Sequence, residues 1–145
     1  MYQIAVPIQN RLVNENTRED YIRLLKEAEA SRIVLIAEEN TNYPRFAENV
    51  AFFKEAGFSV GVWLAETIGH GGVLLNGLDG EEKPRFSPLV DIEGEQAPGT
   101  NCPLDPAFRA QMAKVAASLA ATGISFILLD DDLRMSQHGR SFSCA

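Results

Sequence analysis

The sequence lacks several features that would assign it to a large class of proteins. No stretch approaches the roughly 18 apolar residues of a membrane-spanning helix, so we expect no membrane segment. The net charge of −7 and the lack of a basic stripe argue against a nucleic-acid partner. The opening residues, MYQIAVPIQN, have neither the basic n-region nor the long apolar h-region of a secretory signal. We therefore expect a cytoplasmic location.

Catalytic and cofactor motifs are also scarce. There is no G-x-S-x-G nucleophile motif, and the glycine-rich stretch 67–72 has no phosphate-loop lysine and does not open a helix. The two cysteines, Cys102 and Cys144, are too few for a disulfide framework and are predicted to be free thiols in a reducing compartment. Together with His70 and His138 they could ligate zinc, but their spacing matches no standard zinc pattern. We expect no metal and no cofactor.

What the sequence does contain is a repeated strand-then-helix unit. Short apolar runs predict strands at 3–8, 33–37, 59–64 and 124–129, and helical spacing predicts helices at about 18–30, 43–56 and 106–122. Between the third strand and the third helix lies a segment of forty residues, 65–104. Connections of that length are usually functional or carry a small hairpin. The alternation predicts one α/β domain over residues 1–145, with a parallel sheet and right-handed crossovers.

Two architectures fit this order of elements. An open doubly wound sheet buries its strands between two layers of helices and could stop at four or five strands. A TIM (β/α)₈ barrel needs about 250 residues, so the chain would be only its (βα)₄ half, with a long loop after strand three. In both architectures the chemistry collects at the C-terminal ends of the strands.

Polar or titratable residues follow each of the four predicted strands. We take the substrate-binding candidates to be Asn10, Glu38, Trp63, His70 and Arg134, and the catalytic candidates to be Asp130, Asp131 and Asp132. Three adjacent like charges repel one another, which favours a functional reason for the aspartate run. Neighbouring carboxylates can divide the work of general acid and general base between them, because charge and partial burial keep one of them protonated.

Five motifs together resemble the N-terminal half of uncharacterised bacterial TIM-barrel glycoside hydrolases. They are QIAVPIQN, IVLIAEE, FAENVAFFKEAGFSVGVWLAETIGHGG, CPLDPAFR and FILLDDDLRM. In those proteins the third strand carries a tryptophan, the long loop returns through Cys-Pro-x-x-Pro, and strand four ends in acids followed by arginine. The counterparts here are Trp63, Cys102-Pro103 with Asp105-Pro106, Asp130–Asp132 and Arg134.

A narrower similarity, at strand four, is to O-GlcNAcase-type glycosidases. It implies that one aspartate of the run polarises the acetamido group of the substrate while the next acts as acid/base. The larger class of barrel glycosidases has Asn-Glu at this strand end, and the present sequence departs from that pattern. The resemblance therefore implies a carbohydrate substrate and hydrolysis of an O-glycosyl bond, and it leaves the sugar and the mechanism open.

If the chain is a half-barrel, its first and fourth strands have unpaired edges. We expect such a chain, cut at mid-barrel, to self-associate through these edges and to hydrolyse no glycoside alone. The rival hypothesis is a non-enzymatic α/β module, such as a receiver-like signalling domain that binds Mg²⁺ through clustered acids. It predicts an acidic residue after the first strand, where QIAVPIQN offers none.

Overall fold

The computed structural model describes residues 4–37, 43–64, 67–68, 86–97 and 100–130, together with the backbone of 136–137, 140–141 and 143–144. The strands are β1 (Ala5–Gln9), β2 (Arg32–Ala37), β3 (Ser59–Leu64), β4 (Leu89–Val90), β5 (Phe126–Leu129), β6 (Ser136–Gln137), β7 (Arg140–Ser141) and β8 (Ser143–Cys144). The helices are α1 (Arg18–Glu27), α2 (Tyr43–Glu55) and α3 (Pro106–Ala121), and a 3₁₀ turn (Asn10–Leu12) follows β1.

Four of these strands form one parallel sheet in the order β1-β2-β3-β5. Each strand pairs in parallel with the next, as the alternation of strands and helices predicts. β6 pairs with β7 and β8 pairs with β4, in both cases antiparallel. The prediction of an α/β fold with a parallel sheet is therefore confirmed for the described part of the chain.

The three helices cover the same face of this sheet. Side chains alternate between the two faces along a strand, and Ile33, Leu35, Val60 and Val62 point to the face that packs on the helices. The buried side chains of α1, α2 and α3 belong to the same hydrophobic cluster as these four residues. We call this the helix-covered face.

The opposite face of the sheet is a separate apolar surface. It carries the alternate residues of the strands, namely Pro7, Gln9, Val34, Ile36, Gly61, Trp63, Phe126 and Leu128. Val34 is buried yet lies outside the hydrophobic cluster of the helix-covered face, which agrees with its position on the second face. The neighbouring Ile36 and Trp63 are half-buried.

Strand β5 differs from its prediction as a buried strand. Ile127, Leu128 and Leu129 are 36%, 46% and 43% exposed. In the described sheet β5 lies at the edge and pairs only with β3, so one side of its backbone has no neighbouring strand. The run of apolar residues predicted the strand correctly, but the inference that it is buried was wrong.

Candidate functional site

The parallel sheet brings three of the predicted site residues to its C-terminal edge. The pairing register places one residue of each strand at the same height in the sheet, near this edge: Gln9, Ile36, Trp63 and Leu128. Asp130 follows β5, and its backbone N–H donates to the carbonyl of Leu64 at 3.2 Å, which continues the β3–β5 ladder by one step. Asn10, Trp63 and Asp130 therefore share this edge. Glu38, His70, Asp131, Asp132 and Arg134 lie outside the residues whose side chains the structure describes.

Asn10 is turned toward the helices rather than toward Trp63. Its side chain is only 3% exposed, and its Oδ1 accepts a hydrogen bond of 2.9 Å from Nδ2 of Asn49 on α2. Asn49 is itself fully buried, and its Nδ2 also lies 3.5 Å from the carbonyl oxygen of Val13. This amide pair fixes the turn after β1 against α2. In this arrangement Asn10 supports the edge of the sheet, while Trp63 lies on the opposite face.

Removing the Asn49 side chain should destabilise the fold measurably. In Asn49→Ala, Oδ1 of Asn10 loses its donor, and leaving a buried polar group unpaired costs about 1–3 kcal/mol. We expect a loss of this size in the free energy of unfolding, measured by urea denaturation. Asn16→Ala, at an exposed position, should stay within about 0.5 kcal/mol of wild type. Equal stability of the two variants would contradict a structural role for the pair.

Trp63 has an unsatisfied polar atom. The residue is half-buried, and its indole Nε1 is buried and has no hydrogen-bond partner among the residues that the structure describes. A buried tryptophan N–H usually finds a partner, and an unpaired buried donor in a native fold calls for an explanation such as an ordered water or ion. The ring offers an apolar surface beside that donor. The half-buried ring can therefore stack on a ligand ring, whereas the buried Nε1 does not face solvent.

The loop after β3 brings in two polar residues that the sequence did not single out as candidates. Asn101 binds the residues after β3: its backbone N–H donates to the carbonyl of Ile68 at 2.9 Å, and its Nδ2 donates to that of Thr67 at 3.3 Å. Thr67 is 1% exposed, and within the described part of the chain its Oγ1 has no hydrogen-bond partner. The length of the 65–104 segment suggested either a functional loop or a small hairpin, but no sequence signal marked these two residues within it.

The second half of this loop forms a small hairpin, one of the two alternatives that its length suggested. Val90 and Gln96 form an antiparallel bridge, and Ala97 N–H donates to the carbonyl of Leu89 at 2.8 Å. At the turn, Oδ1 of Asp91 accepts from the backbone N–H groups of Glu93 and Glu95, both at 2.9 Å. Leu89 is fully buried, so the hairpin is packed against the rest of the molecule.

Asp105 joins this loop to the start of α3. Its Oδ1 accepts from Ala107 N–H at 2.7 Å, which caps the helix as the Asp-Pro pair predicted, and its Oδ2 accepts from Ser87 N–H at 2.6 Å. The Ser87 N–H, and after it the N–H groups of the helix start, lower the pKa of Asp105 because they stabilise its charged form. The carboxylate thus holds the loop and the helix together.

The prediction of free thiols is wrong for Cys102. This residue is buried and disulfide-bonded, and Cys144 is the only other cysteine of the chain. The spacing of two cysteines in a sequence says nothing about their distance in space, and the expected reducing compartment led to the wrong inference.

Among the residues that the structure describes, no three His, Cys, Asp or Glu side chains are grouped as metal ligands. Within the same residues no helix is long and apolar enough to cross a membrane.

Comparison with known proteins adds no assignment. The chain matches no protein-family model, and a search of functionally curated proteins gives no significant match.

Proposed function

We propose that the chain is the N-terminal (βα)₄ half of a glycoside hydrolase-like TIM barrel with a carbohydrate substrate. The observation that carries the proposal is the one-layered arrangement of the sheet: four parallel strands in consecutive order, with all three described helices on one face. A TIM barrel has this arrangement, because its helices form an outer ring and the other face of the sheet lines the barrel. A doubly wound sheet reverses its strand order and carries helices on both faces.

The opposite face of the sheet supports this choice. In a barrel that face is filled by layers of bulky side chains, and here it bears Val34, Ile36, Phe126 and Leu128 next to Trp63. A sheet of a two-layer protein that faces water would carry polar residues at these positions. Exposure along β5 does not separate the two faces, since Ile127 and Leu129 on the helix-covered side are exposed about as much as Leu128; the support comes from the apolar character of the residues.

The proposed chemistry belongs to the aspartate run at the end of β5. Glycoside hydrolysis uses two carboxyl groups, one to protonate the leaving oxygen and one to act as base or nucleophile. Asp130, Asp131 and Asp132 are our candidates for these groups, and Asp130 directly follows the strand at the C-terminal edge. Trp63 is the candidate platform for the sugar ring. Glu38, His70 and Arg134 are proposed to bind substrate hydroxyl groups.

The rival signalling module is less well supported. A receiver-like fold has the strand order 2-1-3-4-5, with a reversal at the site where it binds its ligand. The four main strands described here run in consecutive order instead. Asn10, which follows β1, is neutral and paired with Asn49, whereas Mg²⁺ binding in that module would need a carboxylate there.

Location and association stay proposals as well. The proposed location is cytoplasmic; the disulfide at Cys102 weighs against it, because disulfides persist mainly in oxidising compartments. Self-association through the edges of the sheet is supported by the exposed apolar residues of β5. We expect sedimentation velocity at low micromolar concentration to give species larger than the 15.9 kDa monomer.

The indole N–H signal of Trp63 gives a direct test of sugar binding, because Trp63 is the only tryptophan. We expect glucose, galactose or N-acetylglucosamine to shift this signal saturably in a ¹H–¹⁵N titration. We also expect no release of nitrophenol from aryl glycosides of these sugars, because a half-barrel supplies only part of the catalytic site. Phe58→Leu, a change in the helix-covered core, should leave the titration unchanged. An indole signal that no sugar moves would contradict the proposal.

A further inference from the structure

The C-terminal segment of the chain returns to the loop beside the candidate site. β8 pairs antiparallel with β4, with Cys144 opposite Leu89. On its other side, β4 pairs with the second arm of the hairpin, where Ala97 N–H donates to the carbonyl of Leu89. The segment therefore adds a third, outer strand to the hairpin.

The disulfide ties the same two regions together. Cys102 is 4% exposed and disulfide-bonded, and with two cysteines in the chain its partner is Cys144. Cys102 N–H also donates to the carbonyl of Ser87 at 2.7 Å. On one side of Cys102, Asn101 binds the residues after β3; on the other, Asp105 caps α3. The bond therefore lies in the loop that connects the end of β3 with the start of α3.

We propose that this disulfide is a redox-controlled latch that fixes the C-terminal segment on the loop. The covalent ring from Cys102 to Cys144 contains α3, β5 and the aspartate run. While the ring is closed, β8 is restrained against β4. When it opens, β8 is released and the loop that carries Thr67 and Asn101 loosens. The inference does not depend on the substrate proposed above.

The opening step is a thiol–disulfide exchange with a dithiol reductant. One thiolate of the dithiol attacks a sulfur of the Cys102–Cys144 bond, forms a mixed disulfide and releases the other cysteine as a thiolate. The second thiol of the reductant then displaces the remaining cysteine. Two electrons pass to the protein, which gains two thiols, and the reductant leaves as its cyclic disulfide. A small disulfide such as oxidised glutathione reverses the reaction.

The noncovalent contacts explain why release should be local. β4 and β8 pair over only two residues each, and a pairing this short is not stable on its own. The main sheet is independent of this pairing, since β1, β2 and β3 pair over five and six residues. Reduction should therefore free β8 and leave the sheet and the three helices folded.

Hydrogen exchange of the full 145-residue chain, oxidised and then treated with dithiothreitol, tests the latch. We expect no free thiol before reduction and two afterwards, with unchanged far-UV circular dichroism. The amides of Ala97 and Cys102, which donate within the loop, should exchange at least about tenfold faster after reduction. Amides in the β2–β3 ladder should keep their rates.

Two variants complete the test. Cys144→Ser should reproduce the fast exchange of the reduced protein and show no response to dithiothreitol. Ser143→Ala, one residue away, should retain the disulfide and the slow exchange. Two free thiols in the oxidised protein, or unchanged exchange at Ala97 and Cys102, would overturn the proposal. Faster exchange throughout β2 and β3 would overturn it too, because the bond would then be a global stabiliser.

Discussion

Replacing Phe53 with alanine should cost about 3–5 kcal/mol of unfolding free energy. Phe53 is fully buried in α2, where its ring makes edge contacts with Phe52 and Phe58 at centroid distances of 5.4 and 6.4 Å. Alanine would remove the buried ring and leave a cavity between the helix and the sheet. Because a domain of this size has only about 5–15 kcal/mol in total, the variant should lose a large share of its stability and unfold at a clearly lower urea concentration than wild type.

Phe52→Ala is the matched control for this prediction, since it is the same chemical change one residue away. Phe52 is half-buried, and the guanidinium of Arg18 lies 5.3 Å from its ring centroid. Loss of the partial burial and of the cation–π contact should cost about 1–2 kcal/mol. A loss for Phe52→Ala equal to that for Phe53→Ala would mean that the helix does not pack on the sheet through Phe53.

The bounds of most elements could be predicted because local signals and tertiary packing agree there. The third strand was predicted at 59–64 and lies at Ser59–Leu64. Asp105 caps α3 as its Asp-Pro pair predicted, and Gly57 and Gly123 follow α2 and α3 with φ of 95° and 81°. Such residues act on backbone within a few positions of themselves, so their effect can be read from the sequence.

The ends of the outer strands could not be predicted in the same way. β1 was expected at 3–8 and lies at Ala5–Gln9, and β5 was expected to begin at 124 but begins at Phe126. Apolar runs indicate which residues avoid water, whereas the length of a strand depends on the register with its neighbour. Gln9 belongs to β1 because it pairs with Ile36, and Phe126 begins β5 because it pairs with Gly61.

From the sequence, the position of the site residues could be predicted only where the order and direction of the strands determine it. Parallel strands place their C-terminal ends on one edge, which is why Trp63 and Asp130 could be expected there. The pairing of Asn10 with Asn49 depends on two amides 39 residues apart meeting between a turn and a helix. The disulfide at Cys102 is also a long-range contact, made through the return of the C-terminal segment to β4. No local pattern encodes either contact.

A second large loss in the free energy of unfolding is expected where Phe126 packs closely on Gly61. A methyl group added at Gly61 would overlap carbons of the Phe126 ring, so Gly61→Ala must displace either the ring or strand β5. Forcing extra volume into such a contact costs about 1–3 kcal/mol. We expect a loss of this size in urea denaturation. Ser59→Ala, earlier in the same strand, is the matched control and should stay within about 0.5 kcal/mol of wild type.

Phe126→Leu tests whether the ring is the cause, because leucine lacks the far ring carbons that a methyl group at Gly61 would meet. In a double-mutant cycle, Gly61→Ala should be at least about 1 kcal/mol less harmful in the Phe126→Leu background, a coupling typical of residues in contact. Gly61 and Trp63 lie on the same face of β3, so the same cycle can be followed by the fluorescence of Trp63. Additive losses would mean that Phe126 does not pack across Gly61, and the proposed filling of that face by bulky side chains would lose its best-defined contact.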